Sequence, residues 1–199
     1  FMLREMSEAT LRVLDGRRDI ACVLVNPLQA LQPNRGAASD AMLIAGRDDT
    51  SFDQEAYTDW LRALREVCSR RGIALVFDEV FLGFRLGPRG AQGFFGVDAD
   101  LVTYGKTLGG GLPVGVLCGR SEWTRRYRED RPADVCFARG TFNAHPYVMT
   151  CMNEFLQVAT GEDFAQASEA APALWNRRFT ALNERLTSDG LPVRLRNMV

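Results

Sequence analysis

The chain has 199 residues, a length that fits one α/β domain or a domain plus an appendage, and 46% of them are hydrophobic and 25% charged, a composition that excludes disordered and fibrous proteins. Its 24 Lys+Arg nearly cancel its 25 Asp+Glu, leaving a formal net charge of -1, so no overall field gathers nucleic acid or an anionic membrane. No apolar run approaches the roughly 18 to 20 residues of a bilayer span, and no basic-then-apolar leader opens the chain.

The elements follow in chain order. Ile20 to Val25 (IACVLV) is a short apolar run expected to form a buried strand, stopped by Asn26-Pro27. Gln32 to Asp53 is polar and carries Pro33, Gly36 and Gly46, as an exposed insertion loop does. Asp53 is placed to cap a helix in which Tyr57, Trp60, Leu61, Leu64 and Val67 recur at helical spacing until Gly72. Ile73 to Phe77 (IALVF) reads as a central parallel strand ending at Asp78-Glu79, with its C-terminal end at a site. A glycine-punctuated loop, Gly83 to Gly96, leads to a strand at Leu101 to Tyr104, then Gly105-Lys106 and Gly109-Gly110-Gly111-Leu112-Pro113. Val114 to Cys118 is expected to be a further strand. Helices are expected at Ser121 to Arg128, from Pro146 to about Ala159, and from Glu162 to about Leu186. The order argues for a sheet covered by helices.

The five cysteines, Cys22, Cys68, Cys118, Cys136 and Cys151, are odd in number and scattered, with His145 the only imidazole, so neither a disulfide framework nor a zinc site is encoded. A reducing cytoplasm suits them. Among the cations, 23 are arginine and one, Lys106, is lysine. An arginine-favouring codon bias accounts for the ratio, yet such a bias spares lysine where an amine is needed, because a guanidinium stays protonated.

Two readings join that lysine to the acid at the strand end. IALVFDE with Gly105-Lys106-Thr107 resembles parts of a nucleotide site, but Asp100 stands where a phosphate loop needs its first glycine, and Asp78 precedes the lysine instead of following it. Pyridoxal phosphate fits better: it needs an amine to hold its aldehyde as a Schiff base, and a carboxylate to keep its ring nitrogen protonated as an electron sink. Lys106 is the candidate amine and Asp78 the candidate carboxylate.

At these positions the sequence resembles a family. Leu75 to Arg85 (LVFDEVFLGFR), Gly90-Ala91-Gln92 with Phe95-Gly96-Val97, Asp100 to Pro113 (DLVTYGKTLGGGLP) and Gly140-Thr141-Phe142 are similar to class III aminotransferases of the pyridoxal phosphate fold type I superfamily. The wording is similar to the glutamate-1-semialdehyde aminomutase branch and to aminotransferase domains of polyketide and peptide synthetases. The resemblance implies that Asp78 pairs with the pyridinium nitrogen, Val80 packs on one ring face, Lys106 carries the cofactor, and Thr141 binds the cofactor phosphate of a neighbouring subunit. A homodimer is thereby implied, acting on a small-molecule amino donor and a carbonyl acceptor that could be carrier-bound.

The expected fold is therefore a mainly parallel α/β sheet, the large domain of fold type I over residues 1–188, incomplete at both ends, with 189–199 beginning a small C-terminal domain. Transfer between two molecules, intramolecular transfer, and an inactive dimerising role within a larger synthetase all stay open. The chain departs from the pattern at Asn26, where the family usually writes glutamate before proline, which removes one negative charge near the cofactor side of the sheet. Glu79 is read as a neighbour of Asp78 outside the catalytic set, His145 as structural, Arg85 as a loop anchor, and Arg125 to Arg131 as a solvated helix face.

Overall fold

The computed structural model describes residues 1–28, 53–125, 129–130 and 140–195. The insertion loop expected at 32–53, apart from Asp53, lies outside them, as do the end of the helix expected over 121–128 and most of the charged stretch 125–131.

A four-stranded sheet runs in the order β1-β2-β3-β4. Strands β1 (Cys22–Val25), β2 (Ala74–Asp78) and β3 (Leu101–Tyr104) are parallel neighbours, and β4 (Val116–Gly119) closes the row antiparallel to β3. The direction of β4 follows from its connection. Parallel neighbours need a crossover of about a dozen residues or more, usually helical, whereas the link after β3 holds only a 3-10 turn, Lys106–Gly109.

Helix α1 (Glu8–Gly16) precedes the sheet, and α2 (Gln54–Arg71) packs between α1 and β2. Asp53 starts α2 by accepting the Ala56 N–H at 2.9 Å, and Gly72 ends it in the left-handed region at φ 66, returning its N–H to Cys68 and Ser69 carbonyls. Between these caps, Tyr57, Leu61, Leu64 and Cys68 form one buried stripe against Leu75 and Phe77 of β2. Each such fully buried side chain contributes about 2 kcal/mol of transfer free energy. Leu14 of α1 joins this core.

The glycine-punctuated stretch contains a helix where the sequence suggests only loop: α3 (Gly90–Phe95). Its three flanking and internal glycines oppose helix formation, and the stabilisation comes from tertiary contacts. Phe95 packs on Tyr57 with ring centroids 5.2 Å apart, and a buried carboxylate caps the first turn. After β4 come α4 (Ser121–Thr124), α5 (Pro146–Ala159) and α6 (Glu162–Ser188). Helix α5 lies against the 3-10 turn, while α6 buries none of its residues among those described. No helix of the described residues is long and apolar enough to cross a membrane.

Candidate active site

Strand alternation separates the two faces of β2: Leu75 and Phe77 enter the α2 core, and Asp78 projects from the opposite face. Thr103 of β3 pairs with Asp78 in register, and its hydroxyl donates to Asp78 Oδ1 at 3.1 Å. The Val80 N–H donates to the same oxygen at 3.1 Å, and Asn26 Nδ2 donates to Oδ2 at 3.3 Å. Asp78 thus receives three neutral donors, and it has no ion pair among the described residues.

Lys106 begins the 3-10 turn two residues after β3 ends, at the same edge of the sheet as Asp78. Its side chain is exposed, with Nζ 5.7 Å from the centroid of the Phe81 ring. Val80 joins the two candidates. Its backbone holds Asp78, and its Cγ1 would lie 3.1 Å from a Cβ placed on Gly105, so any side chain there would push against Val80 and the Val114 carbonyl. A side chain before the lysine would need these neighbours to give way by a few tenths of an ångström, so glycine suits the approach.

Backbone strain marks the same edge. Among the described residues, non-glycine positions in the left-handed region include Leu28 at φ 64, Phe84 at φ 65 and Lys106 at φ 39, in the loops following β1, β2 and β3 respectively. Such conformations persist only where surrounding contacts over-determine them, and they concentrate at functional sites. The Leu28 turn is held through Tyr57, whose hydroxyl donates to Glu5 Oε2 at 2.8 Å and accepts from the Leu28 backbone.

Glu79 points the other way from Asp78 and is fully buried. Its Oε2 accepts the Ala91 N–H at 2.8 Å, its N–H donates to the Thr103 carbonyl at 3.0 Å, and its carbonyl accepts the Gly83 N–H at 2.8 Å. Burial pushes its carboxyl above the ordinary value, with the backbone N–H groups of Ala91 and Gln92 pulling partly back. Gly90, at φ 55, has no room for a side chain, since a Cβ would sit 1.9 Å from Glu79 Oε2. Glu79 is the buried pin of the loop that carries Val80 and Phe81. Only its apolar surroundings, which the neighbouring Val80 and the glycines do not announce in the sequence, distinguish it from a solvated acid.

Arg85 donates to the Phe81 carbonyl at 2.6 Å and lies 4.4 Å over the Phe81 ring, the loop anchor the sequence suggests. Asp100, which excludes the phosphate-loop reading, is a buried structural acid: it accepts from Leu75 N at 2.8 Å and from Arg65 at 2.7 Å. Thr141 lies in an exposed turn, 141–144, just ahead of α5. The structure therefore gathers Asp78, Val80 and Lys106 at one edge, and none of the hydrogen bonds described links Thr141 to them.

The donor set suits pyridoxal phosphate: an ionisable carboxylate with neutral neighbours, an amine without an acidic partner among the described residues, and an apolar valine between them. Comparison with known proteins agrees. A family model described as aminotransferase class-III matches residues 53–190. The chain belongs to the class III aminotransferases. Pyridoxal phosphate is the cofactor of this class.

Among curated relatives, a glutamate-1-semialdehyde 2,1-aminomutase from Methanococcus maripaludis is 32% identical over 170 residues, 85% of this chain and 35% of the relative. One from Pyrobaculum arsenaticum is 46% identical over 117 residues, 58% of this chain and 27% of its own. Among solved structures, one described as a transaminase with PLP bound shares the fold at a TM-score of 0.68 and 26% identity, covering 96% of this chain and 39% of that one. A β-phenylalanine aminotransferase from Variovorax paradoxus does so at 0.59 and 31%, covering 94% and 37%. This class III chain thus spans about a third of the length of the curated relatives it matches. Asp78, Val80, Lys106 and Thr141 all lie within the span matched by the family model, and Asn26 lies before it.

Proposed function

We propose that the chain is the cofactor-binding core of a pyridoxal-phosphate-dependent transaminase, moving an amino group between an amino donor and an aldehyde or ketone acceptor. The observation that carries this reading is the placement of Asp78 and Lys106 at the C-terminal edge of adjacent parallel strands, coupled through Thr103 and Val80. The cofactor, when bound, supplies a ring that withdraws the negative charge left on a substrate carbon. Asp78 holds the proton on the ring nitrogen, its orientation fixed by the Thr103, Val80 and Asn26 donors. Val80 offers the ring an apolar face. Lys106 Nζ would hold the cofactor through its aldehyde, and as a free amine it would move the proton at the substrate carbon.

On this reading residues 1–188 form the large-domain segment and 189–199 begin the small domain. Thr141 serves the phosphate held by a second copy, and its exposure just ahead of α5 supports that assignment. The protein works as a homodimer in the cytoplasm, where Cys22, Cys68, Cys118 and Cys151 remain thiols. A second reading is favoured by the names of the curated relatives: intramolecular transfer within a single aminated aldehyde, as in an aminomutase. The same residues serve both, and product analysis with one such substrate and no added acceptor separates them.

The test is reconstitution of the intact protein with pyridoxal phosphate, borohydride reduction, and peptide mapping. The expected result is a reduced adduct on Lys106, with the visible absorbance lost in Lys106→Ala. An adduct on another residue, or an unchanged spectrum in that variant, overturns the assignment.

A further inference from the structure

We propose that Thr107 is the positioning residue for the Lys106 amine, acting through its hydrogen bond to the Gly83 carbonyl; the inference rests on the cofactor reading above. Lys106 adopts φ 39, a conformation that a long side chain rarely takes unless contacts impose it. The turn it opens is a single one, closed by Leu108 N–H to Gly105 at 3.0 Å and Gly110 N–H to Thr107 at 3.1 Å. Isolated turns of this kind have poor hydrogen-bond geometry and do not fix their first residue by themselves.

What fixes it comes from the neighbouring loop. Thr107 Oγ1 donates to the Gly83 carbonyl at 3.0 Å. Gly83 is itself immobilised: its N–H donates to the Glu79 carbonyl at 2.8 Å, and a Cβ there would fall 2.7 Å from the Tyr104 ring. Glu79 in turn is pinned by its buried carboxylate. A continuous path therefore runs from the interior, through Glu79 and Gly83, to the residue after the lysine. The loop that receives this bond also carries Phe81, the ring beneath Lys106 Nζ. The Thr107 hydroxyl thus sets backbone and amine in one frame.

The bond is separable from the folding of the turn. Leu108 and Gly109 are buried, and α5 packs on this segment, so the turn keeps its apolar support when the hydroxyl is removed. Thr107→Val preserves the branched shape and deletes the donor, whereas Thr107→Ser retains the donor.

The experiment titrates the intact protein with two ligands: pyridoxal phosphate, whose aldehyde bonds Lys106, and pyridoxamine phosphate, which carries an amine there and forms no such bond. Thr107→Val is expected to weaken pyridoxal phosphate binding about tenfold, the loss of one partly buried hydrogen bond, and to leave pyridoxamine phosphate within about twofold of wild type. Thr107→Ser is expected to bind both as wild type does. If Val does not fold, Thr107→Ala removes the same donor and carries the same expectation. Equal losses for the two ligands, or unchanged binding of pyridoxal phosphate, overturn the positioning role while leaving the cofactor reading intact. A wild-type protein that binds neither ligand overturns both.

Discussion

Asn26 stands beside Asp78 across the β1–β2 pair, one step beyond the Val25–Phe77 register, and its Nδ2 donates to Asp78 Oδ2 at 3.3 Å. With Thr103 on the other side, the three residues form a row across three parallel strands. An amide donates here without changing charge, whereas a carboxylate at the same position could donate only while protonated.

Asn26→Asp therefore sets two carboxylates at hydrogen-bonding distance. Like charges so placed share one proton in the folded state, which raises the pair's proton affinity above that of the unfolded chain. Stability relative to wild type is then retained below the ordinary carboxylate range and lost as pH rises through the raised folded-state value. At pH 7 the penalty is expected to be about 2 kcal/mol. Melting curves of Asn26→Asp and wild type should converge near pH 4 and separate toward pH 7, and a gap independent of pH would contradict the repulsion.

Asp78→Asn tests the charge itself. The Thr103 and Val80 donors can still be accepted by the amide oxygen, and a half-turn of the Asn26 amide lets its Oδ1 accept from the new Nδ2. Turnover of the loaded intact enzyme is expected to fall about 100-fold or more, as when a preorganised electrostatic partner is removed. Adding Asn26→Asp returns a carboxylate to the pair and is expected to leave the rate low, because the charge now stands one strand away. Recovery of the rate would mean that the location of the carboxylate is immaterial.

The sequence was most legible where one local signal sufficed. Asp53 and Gly72 bracket α2, and the IALVF run appears as β2, because a cap, a left-handed glycine and a continuous apolar run each act within a few residues. Helix α1 is a short amphipathic stretch, with Leu11 and Leu14 at helical spacing facing the core beside α2. Helix α3 was hidden because its cap is Glu79, 12 residues before the Ala91 N–H it accepts. The candidate site followed the same division. Asp78 and Lys106 declare themselves by residue type and strand position, while the Asn26 and Thr107 hydrogen bonds join segments 52 and 24 residues apart, a pairing that sheet register and loop packing decide.

Asp100 carries a structural prediction. Only 5% of its side chain is exposed; it accepts from Leu75 N at 2.8 Å and Arg65 at 2.7 Å and forms an ion pair with Arg120 at 3.3 Å, while its own N–H donates to the Leu75 carbonyl. It thereby ties the start of β3 to β2. Asp100→Ala leaves the largely buried Arg65 guanidinium and a strand N–H without their acceptor, at an expected cost of about 3–5 kcal/mol in urea unfolding. Arg120 is more exposed, and Arg120→Ala is expected to cost no more than about 1 kcal/mol. Comparable losses from the two variants would show that the network does not depend on burial.

Glu79 governs how stability responds to pH. Burial raises its carboxyl above the ordinary value of 4.5 in the folded chain. A raised folded-state value means that its contribution is fully present below the unfolded value and is lost as pH climbs through the folded one, because the unfolded chain releases the proton first. Glu5 is raised as well, by burial opposed by the Tyr57 hydroxyl, so a wild-type pH profile alone does not isolate Glu79. The difference between wild type and Glu79→Gln does. Glutamine can accept the Ala91 N–H and does not titrate, while Glu5 contributes equally to both proteins. Stability of Glu79→Gln relative to wild type is therefore expected to increase as pH is raised above about 4.5 and to level off once Glu79 is ionised in the folded chain, in parallel denaturant titrations, and a difference that does not change with pH would show that Glu79 titrates in the folded chain as it does in the unfolded one.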